Sequence, residues 1–452
     1  MQVVAGLALL LAAGSCVGPA PPTTAAVSTP SPAPATSVDP ALPGLGADDV
    51  TRLTVDALQD YWRQEFPRAF GTSWQDVRTI APVHVDAADA PPPPCVAKAS
   101  DLRGNAFYCP GADAIVWDDD VLVPGLRDRF GPAGVVVVLA HEFGHAVETR
   151  LGVDALQRSD PAGHPTILLE AMADCYAGAA IRHFVDATAA GGSALPLGTV
   201  ERDAALRALM TFRDPLGTLA ADTSAHGNSF DRISAVEDGY SGGPSLCARM
   251  TVENRQFTQR RFGSAADRAR GGNLPLNRLV AAVSGDARGW YEQLVAARGV
   301  QGWRAPEPRS APPCPGGGGD QGPVTFCADG AIVTDLSRLA DLEDTSGDFA
   351  GATLLASRYA LAARAGAGLS TTGFDAGRSA LCLTGAYTAR LVDPTGGFGL
   401  SPGDLDEAVG ILLDQDWAET DGAGTVDPAD HGFDRVARFR QGFTGGPATC
   451  GL

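Results

Sequence analysis

The sequence predicts a helix-dominated α+β fold that occurs twice along the chain, and three observations carry that reading. Long apolar stretches recur at helical spacing, above all in residues 135–147 and 167–180. A short run, Ala114-Ile115-Val116-Trp117, has the β-branched and aromatic content of a strand. Motifs of the first half then return in the same order in the second. At 452 residues the chain is too long for one ordinary core. We divide it into a signal segment (1–16), a linker (17–46), a first domain (47–283) and a second (284–452).

Composition sets limits on partners. The net charge is −19, and Lys98 is the single lysine among 34 basic residues. Such a field repels nucleic acid and anionic lipid headgroups, so neither is expected as a direct partner. The apolar run at the N-terminus is too short to span a bilayer comfortably and reads as a secretory signal. Ala13-Gly14-Ser15-Cys16 is similar to a bacterial lipobox, with Ala13 where leucine is usual. On that reading Cys16 carries a lipid, and the linker rich in Pro, Ser, Thr and Ala tethers the domains to the outer face of the cytoplasmic membrane. An ordinary cleaved signal, leaving a free secreted protein, is the alternative. The eight cysteines after Cys16 form an even set, as disulfides made in an oxidising compartment require.

After the linker, residues 48–66 place Val50, Leu53, Val55, Leu58, Tyr61 and Trp62 at helical spacing. The strand at 114–117 follows, then a short helix at 122–129 that Gly131-Pro132 ends. The next helix carries His141-Glu142-Phe143-Gly144-His145. Four residues apart, the two histidines share one face and offer two imidazole nitrogens to one tetrahedral Zn²⁺. Glu142 falls beside the open position, where it takes a proton from a bound water whose pKa zinc lowers to about 7. A helix with exposed histidines is the competing view, but the flanking residues are apolar. Burying two histidines and a glutamate without partners costs several kcal/mol, which a metal offsets.

A second apolar helix begins near Thr166, the expected N-cap, and carries Glu170 and Asp174 one turn apart. Returning antiparallel to the motif helix, Glu170 is the expected third zinc ligand. Asp174 would accept the N–H of a ligand imidazole and set its tautomer. Helices follow at 201–212 and 228–240, the latter entered through His226-Gly227. His226 is a candidate to hydrogen-bond the oxyanion of a tetrahedral intermediate, and Tyr176 is another.

These motifs together resemble a known family. His141-Glu142-Phe143-Gly144-His145, with Glu170-Ala171-Met172-Ala173-Asp174-Cys175 and Gly178, is similar to the bacterial family called putative neutral zinc metallopeptidases. Phe107-Tyr108-Cys109-Pro110, His226-Gly227-Asn228-Ser229 and Gly272-Asn273-Leu274-Pro275 resemble its further motifs, so the likeness spans residues 48–279. The resemblance implies a zincin-like domain of the gluzincin type with His141, His145 and Glu170 on Zn²⁺. It implies no particular substrate.

The second half echoes the first. The segment 324–335 parallels 106–118, residues 347–356 parallel 131–140, and 380–387 parallel 173–180. His431 through Cys450 parallels His226 through Cys247, and Trp290 and Trp303 answer Trp62 and Trp74. In this register Ser357, Arg358, Leu361, Gly377 and Leu381 stand at the places of His141, Glu142, His145, Glu170 and Asp174. The second domain is therefore expected to keep the fold and bind no zinc. Four cysteines per copy in the same order make Cys95–Cys109, Cys175–Cys247, Cys314–Cys327 and Cys382–Cys450 the economical pairing. The return of His226 as His431 in the half without ligands favours a turn or capping role for it over a catalytic one.

The expected activity is hydrolysis of peptide or protein substrates by a zinc metallopeptidase in the cell envelope or secreted, with Glu142 as the base. The competing reading is a non-catalytic envelope platform with a structural or vestigial zinc site. An intact Glu142 separates the two, because a structural zinc needs no base.

Overall fold

A computed structural model describes residues 46–452 apart from 194, 312–313, 315–318 and 395–397. The signal segment, Cys16 and the linker up to residue 45 lie outside the described residues. Helix α1 (Ala47–Phe70) leads into β1 (Thr79–Val83), β2 (Ala106–Cys109) and β3 (Ala114–Asp118). These form one sheet in the order β1-β3-β2, with β1 parallel and β2 antiparallel to β3. Helices α2 (Leu122–Phe130), α3 (Pro132–Leu151), α4 (Val153–Ser159), α5 (Thr166–Ala189), α6 (Thr199–Met210) and α7 (Ser229–Gly242) follow. The short α8 (Pro244–Cys247) and α9 (Ala265–Ala269) come next, then the long α10 (Leu276–Ala297). A second sheet of β4 (Arg309–Ser310), β5 (Val324–Phe326) and β6 (Ile332–Thr334) has the order β4-β6-β5, again one parallel and one antiparallel pair. Helices α11 (Leu336–Ser346), α12 (Asp348–Gly366), α13 (Phe374–Arg390), α14 (Asp404–Asp414) and α15 (Gly432–Gly445) complete the chain. The fold is α+β and helix-dominated, as the sequence predicts. Among the described residues no helix is long and apolar enough to cross a membrane.

The central helices are where local sequence dictates geometry. Gly131, at φ +65°, and Pro132 at the first helical position start α3, and Gly152, at φ +77°, ends it. Helix α3 and the first two-thirds of α5 are buried almost all round. They cross at Gly144, where a β-carbon would come within 2.6 Å of the Ala173 carbonyl oxygen. Helix α5 meets α7 as closely: β-carbons at Gly178 and Gly239 would overlap the carbonyl oxygens of Val236 and Cys175. Gly385 and Gly442 stand in the same relation to Phe439 and Cys382, so α13 and α15 cross as α5 and α7 do.

All four expected disulfides are present: Cys95–Cys109, Cys175–Cys247, Cys314–Cys327 and Cys382–Cys450. Each closed loop contributes roughly 3–4 kcal/mol by restricting the unfolded chain.

Two expectations need correction. The domain boundary placed between residues 283 and 284 falls inside α10, whose buried face (Leu279, Val283, Ala287, Tyr291, Val295) packs on α12. The helix runs without a break from Leu276 to Ala297, through that point. Thr166 is the first residue of α5 and not its N-cap, which is Pro165; the Thr166 hydroxyl donates to the Thr223 carbonyl instead.

The halves meet through α6 and α7 on one side and α14 and α15 on the other. Asp203 of α6 accepts the first N–H groups of α15, from Gly432 and Phe433. Asp406 of α14 accepts the Ser229 N–H that opens α7. Phe230 packs on Phe439 and Phe443, and Tyr240 on Phe433. Glu237 is buried in this junction, 3.5 Å from Arg440. Burial pushes its pKa up to about 7, against the opposing pull of Arg440. The folded state therefore holds a proton that the unfolded chain has already released above its ordinary carboxyl pKa. Stability should fall as pH rises between about 4.5 and 7, by on the order of 3 kcal/mol from this group. Glu237→Gln is expected to flatten that part of the profile in urea unfolding at pH 5 and pH 8. An identical pH slope in both proteins would rule it out.

Candidate metal centre

The α3–α5 crossing brings three donors together. His141 Nε2 lies 3.3 Å from Glu170 Oε2, and His145 Nε2 lies 3.6 Å from Glu170 Oε1. One ligand atom from each of His141, His145 and Glu170 falls within 4.8 Å of the others. The two imidazole rings stand at 86° with centroids 4.7 Å apart. The far nitrogen of each ring is occupied: His141 Nδ1 bonds Asp174 Oδ1 at 2.7 Å, and His145 Nδ1 bonds Glu148 Oε2 at 2.9 Å. Those bonds hold the rings with both Nε2 atoms turned toward Glu170. Two imidazoles and one carboxylate, each imidazole backed by a carboxylate, fit the donor set of a catalytic zinc with one position left for water.

Charge around the donors also favours a cation. Burial opposes protonation of both imidazoles, but Asp174 and Glu170 outweigh it at His141, raising its pKa to about 10. Glu148 and Glu170 do the same at His145, raising it to about 9. Burial raises the Glu170 carboxyl, yet the adjacent histidines outweigh it and hold the group well below the usual carboxylate range.

Behind the donors, Arg232 of α7 holds Asp174 with Nε to Oδ2 and Nη2 to Oδ1, both at 2.8 Å. Both side chains are buried. The Arg232 charge outweighs burial and keeps the Asp174 carboxyl below its ordinary pKa. Glu142 follows His141 on α3, buried, and its Oε2 accepts the Tyr108 backbone N–H at 2.7 Å. Tyr108 belongs to β2, an edge of its sheet.

His226 comes to the rim of the site, its Nε2 3.9 Å from Glu170 Oε1 and its side chain 28% exposed. Asp214 Oδ2 accepts the His226 and Gly227 N–H groups at 2.8 Å each, and Asp214 Oδ1 lies 3.4 Å from His226 Nδ1. Burial lowers the His226 pKa, but Asp214 and Glu170 outweigh it and raise it. The capping role expected for His226 belongs to Asn228, whose side chain accepts the Asp231 N–H and opens α7. In the second half His431 is itself the N-cap of α15. His431 thus answers Asn228, and its presence there no longer counts against a catalytic His226.

Tyr176 is not at the site. It is fully buried, with its ring against Trp62 at 5.8 Å and Phe70 at 6.5 Å, so no substrate reaches its hydroxyl. Three residues of the site went unnoticed in the sequence. Glu148 had a signal, an acid three residues after His145 on the same helix. Arg232 and Asp214 had none, because only the tertiary fold brings them in.

Residues 30–250 match the family described as "Putative neutral zinc metallopeptidase". Uncharacterized proteins of Mycobacterium tuberculosis and Mycobacterium bovis are 33% identical over 156 residues, which is 31% of this chain and 53% of theirs. The uncharacterized protein YpfJ of Escherichia coli is 27% identical over 217 residues, 44% of this chain and 69% of its own. The chain thus spans about half the length of the mycobacterial relatives it matches. No solved structure matches. The match to the putative neutral zinc metallopeptidase family covers residues 30–250, which hold both helices of the candidate centre.

Proposed function

We propose that the first half is a zinc-dependent peptidase acting on peptide or protein substrates, with His141, His145 and Glu170 holding Zn²⁺. The observation that carries this reading is the convergence of those three donors beside Glu142. When bound, zinc supplies a Lewis acid and lowers the pKa of a water ligand from 15.7 to about 7. Glu142 accepts the proton and returns one to the leaving amine. Its hydrogen bond from Tyr108 limits the rotation of the carboxylate. Asp174 and Glu148 keep the ligand imidazoles in a fixed tautomer. His226, oriented by Asp214, donates a hydrogen bond to the developing oxyanion. His226→Ala is expected to lower kcat about 10²-fold with little change in KM or zinc content; an unchanged kcat would return it to a structural role. Metal analysis with turnover of casein or a peptide mixture tests the main reading, and zinc retained without turnover would support an inert platform.

We infer further that the second half is a copy of the first that has lost its donors. The matching sheet orders, the two glycine crossings and the mirrored aspartate caps of α7 and α15 support this. Arg358, at the place of Glu142, is wholly buried and donates to the carbonyls of Val324 and Thr420. Leu361 and Leu381 beside it are apolar and buried. The expected stoichiometry is one zinc per chain, lost entirely in His141→Ala.

Placement in the cell envelope through a lipid on Cys16 is likewise proposed. The four disulfides support an oxidising compartment. Cys16→Ser should move the protein from the membrane fraction to the soluble one, and an unchanged distribution would refute the anchor.

A further inference from the structure

Away from the zinc donors, three carboxylates meet where α12 and α14 begin. Asp348 is the first residue of α12, and Asp404 and Glu407 lie in the first turn of α14. One oxygen from each falls within 4.8 Å of the others. Asp348 is 3% exposed and Asp404 5%. Each carboxylate has one oxygen fixed by a backbone donor. Leu274 N–H donates to Asp348 Oδ2 at 2.6 Å, Ser401 N–H to Asp404 Oδ2 at 2.8 Å, and Phe349 N–H to Glu407 Oε2 at 2.8 Å. The other oxygen of each aspartate, Oδ1, is buried with no hydrogen-bond partner. Buried acceptors of this kind are costly unless a proton or a cation stands between them; Asp348 and Glu407 hydrogen-bond each other side chain to side chain through a shared proton, and Asp404 Oδ1 stays open beside them.

Among the described residues, none of the three forms an ion pair with an arginine, lysine or histidine. Arg260 is the cation that acts on Asp404, and its guanidinium donates instead to the carbonyls of Leu400 and Val392. The backbone nonetheless makes room for the cluster. Gly347, at φ +85°, lies where a β-carbon would overlap the Glu407 carboxyl group. Burial and the neighbouring carboxylates push the Glu407 pKa up to about 8 and raise Asp404 well above its ordinary value.

We propose that Asp348, Asp404 and Glu407 bind a hard divalent cation, with Ca²⁺ the preferred ion. All three donors are oxygens, which disfavours zinc and other metals that seek nitrogen or sulfur. Three protein carboxylates exceed the one or two that Mg²⁺ usually takes, and Ca²⁺ completes its 6–8 ligands with water and carbonyls. The ion would tie the Leu274 segment, α12 and α14 together. Asp406, between two of the ligands, caps α7 just past His226, so the same turn braces the rim of the zinc centre from behind. The proposal stands whether or not the first half is a peptidase.

The test uses the full chain, stripped of metal by chelation, reloaded with zinc and titrated with Ca²⁺ alone by calorimetry, with Tm followed in parallel. One Ca²⁺ per chain and a rising Tm are expected. Asp404→Asn and Glu407→Gln should abolish the Ca²⁺ heat, while their Tm without Ca²⁺ stays at or above that of the wild type, because burial and the neighbouring carboxylates already favour the uncharged form of each group. A role limited to accepting the backbone N–H groups would give no Ca²⁺ response in the wild type or in any variant. His141→Ala should keep the full Ca²⁺ response, which separates this site from the zinc centre. No heat and no Tm change up to about 5 mM Ca²⁺, above the range of weak extracellular calcium sites, would overturn the proposal. So would a response that persists in both carboxylate variants.

Discussion

Glu142→Gln should leave the zinc content of the chain unchanged and lower peptide turnover by about 10²–10⁴-fold, the usual contribution of a positioned general base. The substitution keeps the size of the side chain and an oxygen that can accept the Tyr108 N–H. It removes only the capacity to take a proton. His141, His145 and Glu170 are untouched, as are the bonds from Asp174 and Glu148 that hold the rings. Zinc analysis and steady-state turnover on the same preparation check both halves of the expectation. Full turnover in the variant would move the base elsewhere, and loss of zinc would make Glu142 a structural residue.

Arg232→Met should destabilise the chain by about 3–5 kcal/mol, because it leaves the Asp174 carboxylate buried and without its counter-charge. Asp174 has two other ways to respond, and both harm the centre. It can take up a proton and become a weaker, uncharged acceptor for His141 Nδ1, or it can turn and release the ring. Either loosens the tautomer on which His141 depends, so zinc affinity should fall about 10–100-fold as well. Urea unfolding of the zinc-free protein measures the first effect, and competition with a chelator measures the second. The double variant Arg232→Met, Asp174→Leu should regain much of the stability and little of the affinity, since it removes the stranded charge together with the acceptor of His141 Nδ1. A single variant as stable as the wild type would show that water already screens this pair.

The parts of the centre that lie close together in the chain are legible as sequence. His141 and His145 share a face because they are four residues apart on one helix, and that holds wherever the helix packs. Glu170 and Asp174 are legible for the same reason, and so is the apolar surround that makes burial certain. The cystine pairs follow from order alone, since each half has four cysteines in the same sequence. Where periodicity is silent the reading fails. Tyr176 lies two residues past Asp174 on α5, and that offset turns it to the opposite side of the helix, into Trp62 and Phe70. The boundary at 283/284 failed because α10 has no turn residue there, and its buried face belongs to α12. His226 was discounted by an alignment that ignored two extra residues before α7; the helix cap, Asn228, is the position that has a counterpart in His431.

Helical spacing and residue chemistry were thus enough to name the three donors that converge, the acid beside them and the disulfides, because each is a relation within one helix or an ordering along the chain. The charge that secures Asp174 and the burial that removes Tyr176 depend on which helix packs against which, and the aspartate that aims His226 depends on how the segment between α6 and α7 folds back on itself. The close glycine crossing of α5 with α7 brings Arg232 to Asp174, and a contact between residues 58 positions apart leaves no periodic trace in the chain.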